Sequence, residues 1–288
     1  MFDLPPGARA RTAFVSGGAR VSTVAAISPE GFEQLLRARE AELGAESHRT
    51  EGSMLLERYA LSERHQVIAS WSSAAGARTQ RYEEFQYFPE DRVLFRFESQ
   101  GNATAEARAR ARVSQARFGA AMRVRGQGEV PAEPGFCVDR GFVAGSRLNR
   151  EEVEAVVSFP ALDTASLVFK SFVTRNPERP LLERVDKLPD DLGEQPSGVA
   201  VVHRAARVLD GLEGDEVVVE ERDEGRSSYE FAWEFPGQVD SLGAPFLKFG
   251  MTVDEGALGE EGHFGDLEAA IGFWREITST LRQRPGAV

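Results

Sequence analysis

Four glycines and prolines, Gly126, Gly128, Pro131 and Pro134, fall within nine residues near the middle of the chain. Both the two-residue and the 3.6-residue hydrophobic periodicities stop there, so the chain is expected to divide into modules 1–128 and 129–288. The charge balance turns over at the same place. The first module carries 18 Arg against 15 acids and the second 16 Lys and Arg against 31 acids. An acidic second module repels phosphate backbones and anionic lipid, which argues against nucleic acid as a partner. Two readings of that charge stay open: a basic protein partner, or a surface that keeps the chain in solution.

Within the first module, Arg11 to Ile27 reads as a hairpin turning at Ser16-Gly17-Gly18. Ser28 then caps a helix over 29–43, with Pro29 at its first position and Phe32, Leu35, Leu36 and Leu43 on one face. Strand patterns follow around 53–62, 66–72, 78–87 and 93–98, and an Ala- and Arg-rich helix over 104–122 closes the module. Its inward stripe is expected to be Ala109, Val113, Ala116 and Ala120. In the second module strands are expected over 136–144, 151–159, 166–174, 199–209, 216–223, 227–235 and 245–253, an amphipathic segment over 181–188 and a terminal helix over 266–284. The fold class is therefore α+β, two consecutive modules of mainly antiparallel sheet, each with an early and a closing helix.

Signals for chemistry are weak throughout. There is no P-loop, no G-x-S-x-G and no H-E-x-x-H, and His48, His65, His203 and His263 have no paired spacing. A single cysteine, Cys137, excludes an internal disulfide, and its apolar neighbours Phe136 and Val138 point to a buried, inert thiol. Neither cofactor nor metal is expected. No run of 18 apolar residues occurs, and the first thirty residues lack a basic start followed by an apolar stretch, so neither a membrane span nor a secretory leader is expected.

Several segments together give the chain a family likeness. They are FDLPPGA at the start, LLRAREAELGAESHRTEGSMLLER from Leu35 to Arg58, GFCVDRGFVAG, RVLDGLEGDEV, YEFAWEFPG, the Met251 strand and the ending FWREITSTLRQRPGA. In their order and spacing the chain resembles the immunity proteins that protect bacteria from type VI secretion lipase effectors. The resemblance implies a protein without catalysis, built of two modules that grasp a toxic phospholipase and hold it inactive, and a monomer when free. It also implies action in the periplasm, behind a leader or lipid anchor. This chain starts directly at FDLPPGA, so a trimmed leader and a cytoplasmic location are both open.

The motif residues Cys137, Gly141, Arg207, Gly211, Glu216, Trp233, Glu234, Met251, Trp274 and Arg284 are expected to build the fold. Arg207 and Glu216 flank a turn and should approach one another, with Trp233 buried and Glu234 outward or paired. Glu220, Glu221, Asp223 and Glu224 on a hairpin are the candidates for contacting a basic partner. Two other function classes are weighed beside this one, a small-ligand or lipid-binding protein and an enzyme of unrecognised chemistry. A pocket with convergent polar groups would favour either.

Overall fold

The computed structural model describes residues 2–126, 128–145, 151–192, 198–223, 226–259 and 262–283. Strand β1 (Arg9–Ser16) turns into β2 (Ala19–Ala25) through Gly17 and Gly18. Both glycines have positive φ, +60° and +83°, as a two-residue hairpin that follows the strand twist requires. Ser28 starts helix α1 (Pro29–Ala45), its side chain accepting a hydrogen bond from the Gly31 amide at 3.1 Å. Strands β3 (Leu55–Ser62), β4 (His65–Ser73), β5 (Gly76–Phe88) and β6 (Val93–Asn102) lie in the order β2-β6-β5-β4-β3, each antiparallel to its neighbour. Phe32, Leu36 and Leu43 of α1 pack on Ile68, Trp71, Phe85 and Leu94 on one face of this sheet.

Helix α2 (Ala105–Ala121) covers the other face and leads into β7 (Met122–Val124). Its inward residues are Gln115, Phe118 and Gly119, while Val113 is 61% exposed and Ala109, Ala116 and Ala120 are exposed as well. The stripe expected from apolar spacing therefore faces solvent. The reason lies in the sheet beneath, which offers Tyr59, His65, Glu84 and Gln86 to the helix and selects a partly polar face.

The segment expected as one strand over 136–144 is two, β8 (Gly135–Val138) and β9 (Gly141–Ala144). They turn at Asp139 and Arg140, and Arg140 has φ 55° although nothing in its residue type signals a left-handed turn. Together with β7 they form a small sheet of order β7-β9-β8, whose Val138 and Val143 join Phe95, Phe97 and Phe118 in one core. This unit accordingly runs Phe14–Arg147, past the linker at which the sequence divides.

The other unit joins Met1–Ala13 to Leu148–Val288. Its strands are β10 (Glu152–Phe159), β11 (Leu162–Phe172), β12 (Val199–Leu209), β13 (Leu212–Asp223), β14 (Arg226–Phe235) and β15 (Phe246–Asp254). They lie antiparallel in the order β12-β13-β14-β15-β11-β10. Helix α3 (Leu181–Leu192) connects β11 to β12, and α4 (Leu267–Thr278) follows β15. Ala270, Ile271, Trp274 and Ile277 of α4 bury against Phe231, Trp233, Phe249 and Met251.

The N-terminal segment completes this second core. Phe2 sets its ring 5.4 Å from Phe169 and 5.0 Å from Phe249, and Asp3 pairs with Arg282 at 2.7 Å. A fragment starting at residue 135 would lose all of these contacts. Because Phe2 is only half-buried, Phe2→Ala is expected to cost about 2 kcal/mol, less than the 3 to 5 of a fully buried Phe. Urea unfolding followed by tryptophan emission checks this, and an unchanged midpoint would show that the segment only rests on the surface.

Candidate functional site

A carboxylate taken out of water must be compensated by donors or it gives up its charge. Glu216 on β13 has no exposed side-chain surface and is compensated from two other elements, β12 and α4. Arg207 on β12 donates to Oε2 at 2.6 Å, and from α4 Trp274 Nε1 donates to Oε2 at 2.9 Å. Arg275 donates to Oε1 through Nε at 3.1 Å and Nη2 at 2.9 Å, and His203 Nε2 lies 3.2 Å from the same oxygen. Burial pushes the Glu216 carboxyl up, but the hydrogen bonds from Arg275, Arg207 and Trp274 outweigh it and hold the group below the ordinary carboxylate range. Arg207 also donates to Thr278 Oγ1 at 2.8 Å, so one ion group ties β12, β13 and α4 together.

The expected approach of Arg207 to Glu216 is present, while the contribution of α4 had no signal in sequence. Trp233 is fully buried and donates from Nε1 to the Arg207 carbonyl at 3.0 Å. A side chain at Gly214 would meet the Trp233 ring at 2.6 Å, which explains the glycine in that motif. Gly211 lies in the β12–β13 turn at φ 79° beside Asp210 at φ 48°. Met251 is 2% exposed between Leu167 and Phe231. Gly141 opens β9 where a Cβ would strike Met122 and Phe95, and Cys137 is half-buried on β8. Glu234 is buried and paired, with Lys248 at 3.1 Å and with Arg184 of α3.

The acidic hairpin residues divide. The Glu220 carboxylate is already engaged, accepting from Arg222 at 2.9 Å, from Ser227 at 3.1 Å and from the Tyr229 hydroxyl at 3.1 Å. Those donors lower its pKa, the Arg222 bond most. Glu220 is thus a member of the fold and not a free contact. Glu221 and Asp223 are exposed, whereas Glu224 and Arg284 lie outside the described residues.

The other unit has a buried carboxylate of its own. Glu83 on β5 accepts from Arg39 of α1 at 2.6 and 2.9 Å and from Arg96 of β6. Its pKa is lowered because these cations together outweigh burial. On the opposite face Tyr59 donates to Gln115 at 2.7 Å, His65 lies 3.2 Å from Glu84, and Gln86 donates to the Gly119 carbonyl at 2.7 Å. Each charged group in these clusters is matched by a partner. None stands beside an activated nucleophile.

Among the described residues no group of three or more His, Cys, Asp or Glu is placed to hold a metal ion, and no helix is long and apolar enough to cross a membrane. One cavity of about 260 Å³ is lined by Pro5, Pro6, Phe159, Leu162, His263 and Phe273. His263 is its one side chain with a polar group, so the convergent polar groups of a small-ligand site are not found there.

Comparison with known proteins supplies what this geometry does not. A family model described as Tle cognate immunity protein 4 C-terminal domain matches residues 129–286. The apo structure of the immunity protein TplEi of the type VI secretion system from Pseudomonas aeruginosa is 25% identical, with a TM-score of 0.80 over 99% of this chain and 94% of that one. A crystal structure of a Tle4-Tli4 complex matches with the same identity, coverage and TM-score. TplEi bound to an "L" peptide matches at 25% identity and a TM-score of 0.75, over 99% of this chain and 95% of that one. No curated protein matches the chain.

Proposed function

The chain belongs to the Tle cognate immunity protein 4 family, and we propose that it neutralises its cognate lipase effector by clamping it between two modules. It is an immunity protein that binds a type VI secretion effector, and not an enzyme. The observation that carries this reading is the likeness over 99% of the chain to structures of immunity proteins, one of them described as a Tle4-Tli4 complex. The saturated ion groups agree with it, since Glu216 and Glu83 spend their charge on fixing the fold.

The clamp places one set of contacts on each of the two units, Phe14–Arg147 and Met1–Ala13 with Leu148–Val288. Two docked modules on one chain raise the effective concentration of the second to the millimolar range, so joint affinity exceeds either alone by about 10² to 10⁴. The site of action is the periplasm, where a lipase delivered by a rival meets the membrane it attacks. Coexpression of the chain with its candidate lipase effector tests the partner. Coelution of the two as one complex is expected, and independent elution would remove the reading.

Exposed Glu221 and Asp223 are offered to a basic patch on the effector. Complementary charge acts mainly on the association rate. That rate is expected to fall as salt rises from low to physiological strength, where charges more than about 8 Å apart are screened. Stopped-flow association of the chain with the effector measures it. A rate independent of salt would leave solubility as the role of the acidic surface.

A further inference from the structure

Strand β12 ends its side of the sheet, so one of its backbone edges has no neighbouring strand among the described residues. The positive φ angles of Asp210 and Gly211 make a two-residue turn in which Leu209 and Leu212 bond to each other. Counting back along the antiparallel register, Arg207 and Ala205 bond to β13, opposite Gly214 and Glu216. Val208, Ala206 and Arg204 therefore turn their N–H and C=O groups outward. All three are exposed, Val208 at 61%. Val201 and Val202, beside a bulge on the same strand, are 41% and 40% exposed. Three of the eight large hydrophobic residues exposed among the described residues thus lie on this one strand.

Free edges are ordinarily blunted by lysine, proline or an inward charge. β12 contains neither lysine nor proline, and its His203 and Arg207 are turned into the Glu216 group. Arg204 remains at the edge, paired at 2.7 Å with Asp186 of α3. Those side chains are 62% and 60% exposed, so the pair is weak and open to exchange.

We propose that β12 is a strand-addition site, where an extended segment of the lipase effector pairs with the outer edge from Arg204 to Val208. The inference rests on the immunity reading above and assigns part of its contact surface. Backbone bonds supply affinity, and an acidic side chain beside Arg204 with an aliphatic one beside Val208 supplies selectivity. A second copy of this chain is a poor occupant. Self-pairing about Ala206 would set valine beside arginine and give Arg204 no acid, between chains that each carry a net charge of −12.

Ala206→Pro removes an outward N–H and leaves the bonds of Ala205 and Arg207 to β13 in place. It is expected to weaken binding of the lipase effector coeluted above by about tenfold or more, with an unchanged melting temperature. Ala206→Thr, which keeps the N–H and suits a strand, is expected to bind within about twofold of the parent. Hydrogen exchange on the parent chain is the independent arm, since the amides of Arg204, Ala206 and Val208 should slow when the effector is added. If Ala206→Pro fails to fold, that exchange alone decides. Parent-like binding by a folded Ala206→Pro, or unchanged exchange at all three amides in the complex, overturns the proposal. Protection that grows with the concentration of the free chain also overturns it, in favour of self-pairing. A parent chain that binds no effector overturns the immunity reading itself, and this site with it.

Discussion

Glu216→Ala is expected to destabilise the protein by about 3 to 5 kcal/mol, because it strands the buried Trp274 N–H and the half-buried Arg207 guanidinium without their acceptor and unpairs Arg275 at the surface. The cost is not a measure of what the ion group adds over an apolar core. It is the penalty of leaving the Arg207 cation and the Trp274 N–H uncompensated between β12, β13 and α4. Glu216→Gln keeps the shape but not the charge, so it should recover only part of that loss. The acid dependence gives a second signature. A carboxylate whose pKa is lowered by folding contributes stability that is fully present above its unfolded value, about 4.3, and is lost as pH falls through the lower folded value. Glu83 contributes with the same sign. The parent is therefore expected to lose stability below about pH 4.3, and Glu216→Gln to lose it less steeply. Urea midpoints from pH 3 to 7 measure this, and parallel profiles would contradict it.

Trp233→Ala is expected to cost about 3 to 5 kcal/mol as well, through the cavity left between Phe249 and Gly214 and the lost bond to the Arg207 carbonyl. Its role is to build the sheet, so effector affinity measured well below the melting temperature should stay close to the parent. A variant of parent-like stability that no longer binds would move Trp233 into the interface. Since Trp233 and Glu216 both lean on Arg207, their double variant should fall short of the sum of the single costs.

Local signals carried much of this fold. The Gly17-Gly18 turn, the Ser28-Pro29 helix start and the alternating runs of β13 and β14 are legible because their determinants lie within a few residues of each other. The facing of α2 was not legible, since its buried side presents Gln115 and Gly119 while Val113 stands in solvent. A periodicity rule that looks for apolar stripes selects the wrong side of such a helix. The turn at Asp139-Arg140 was hidden for the opposite reason, as an arginine occupies the left-handed position. The placement of Phe2 against Phe169 and Phe249, and of Trp274 and Arg275 on Glu216, are long-range contacts with no signature at either end. The Arg207 to Glu216 contact could be read because the two flank one hairpin turn. Family membership was legible from motif order, while the effector contacts were not, because exposed strands and acids look alike whether or not something binds them.

Titration of the purified effector with the intact chain, reading hydrolysis of a phospholipid substrate, tests the central claim most directly. Activity is expected to fall in proportion to added chain and vanish when every effector molecule is matched by one immunity protein. Full hydrolysis in the presence of saturating, folded chain would contradict the account.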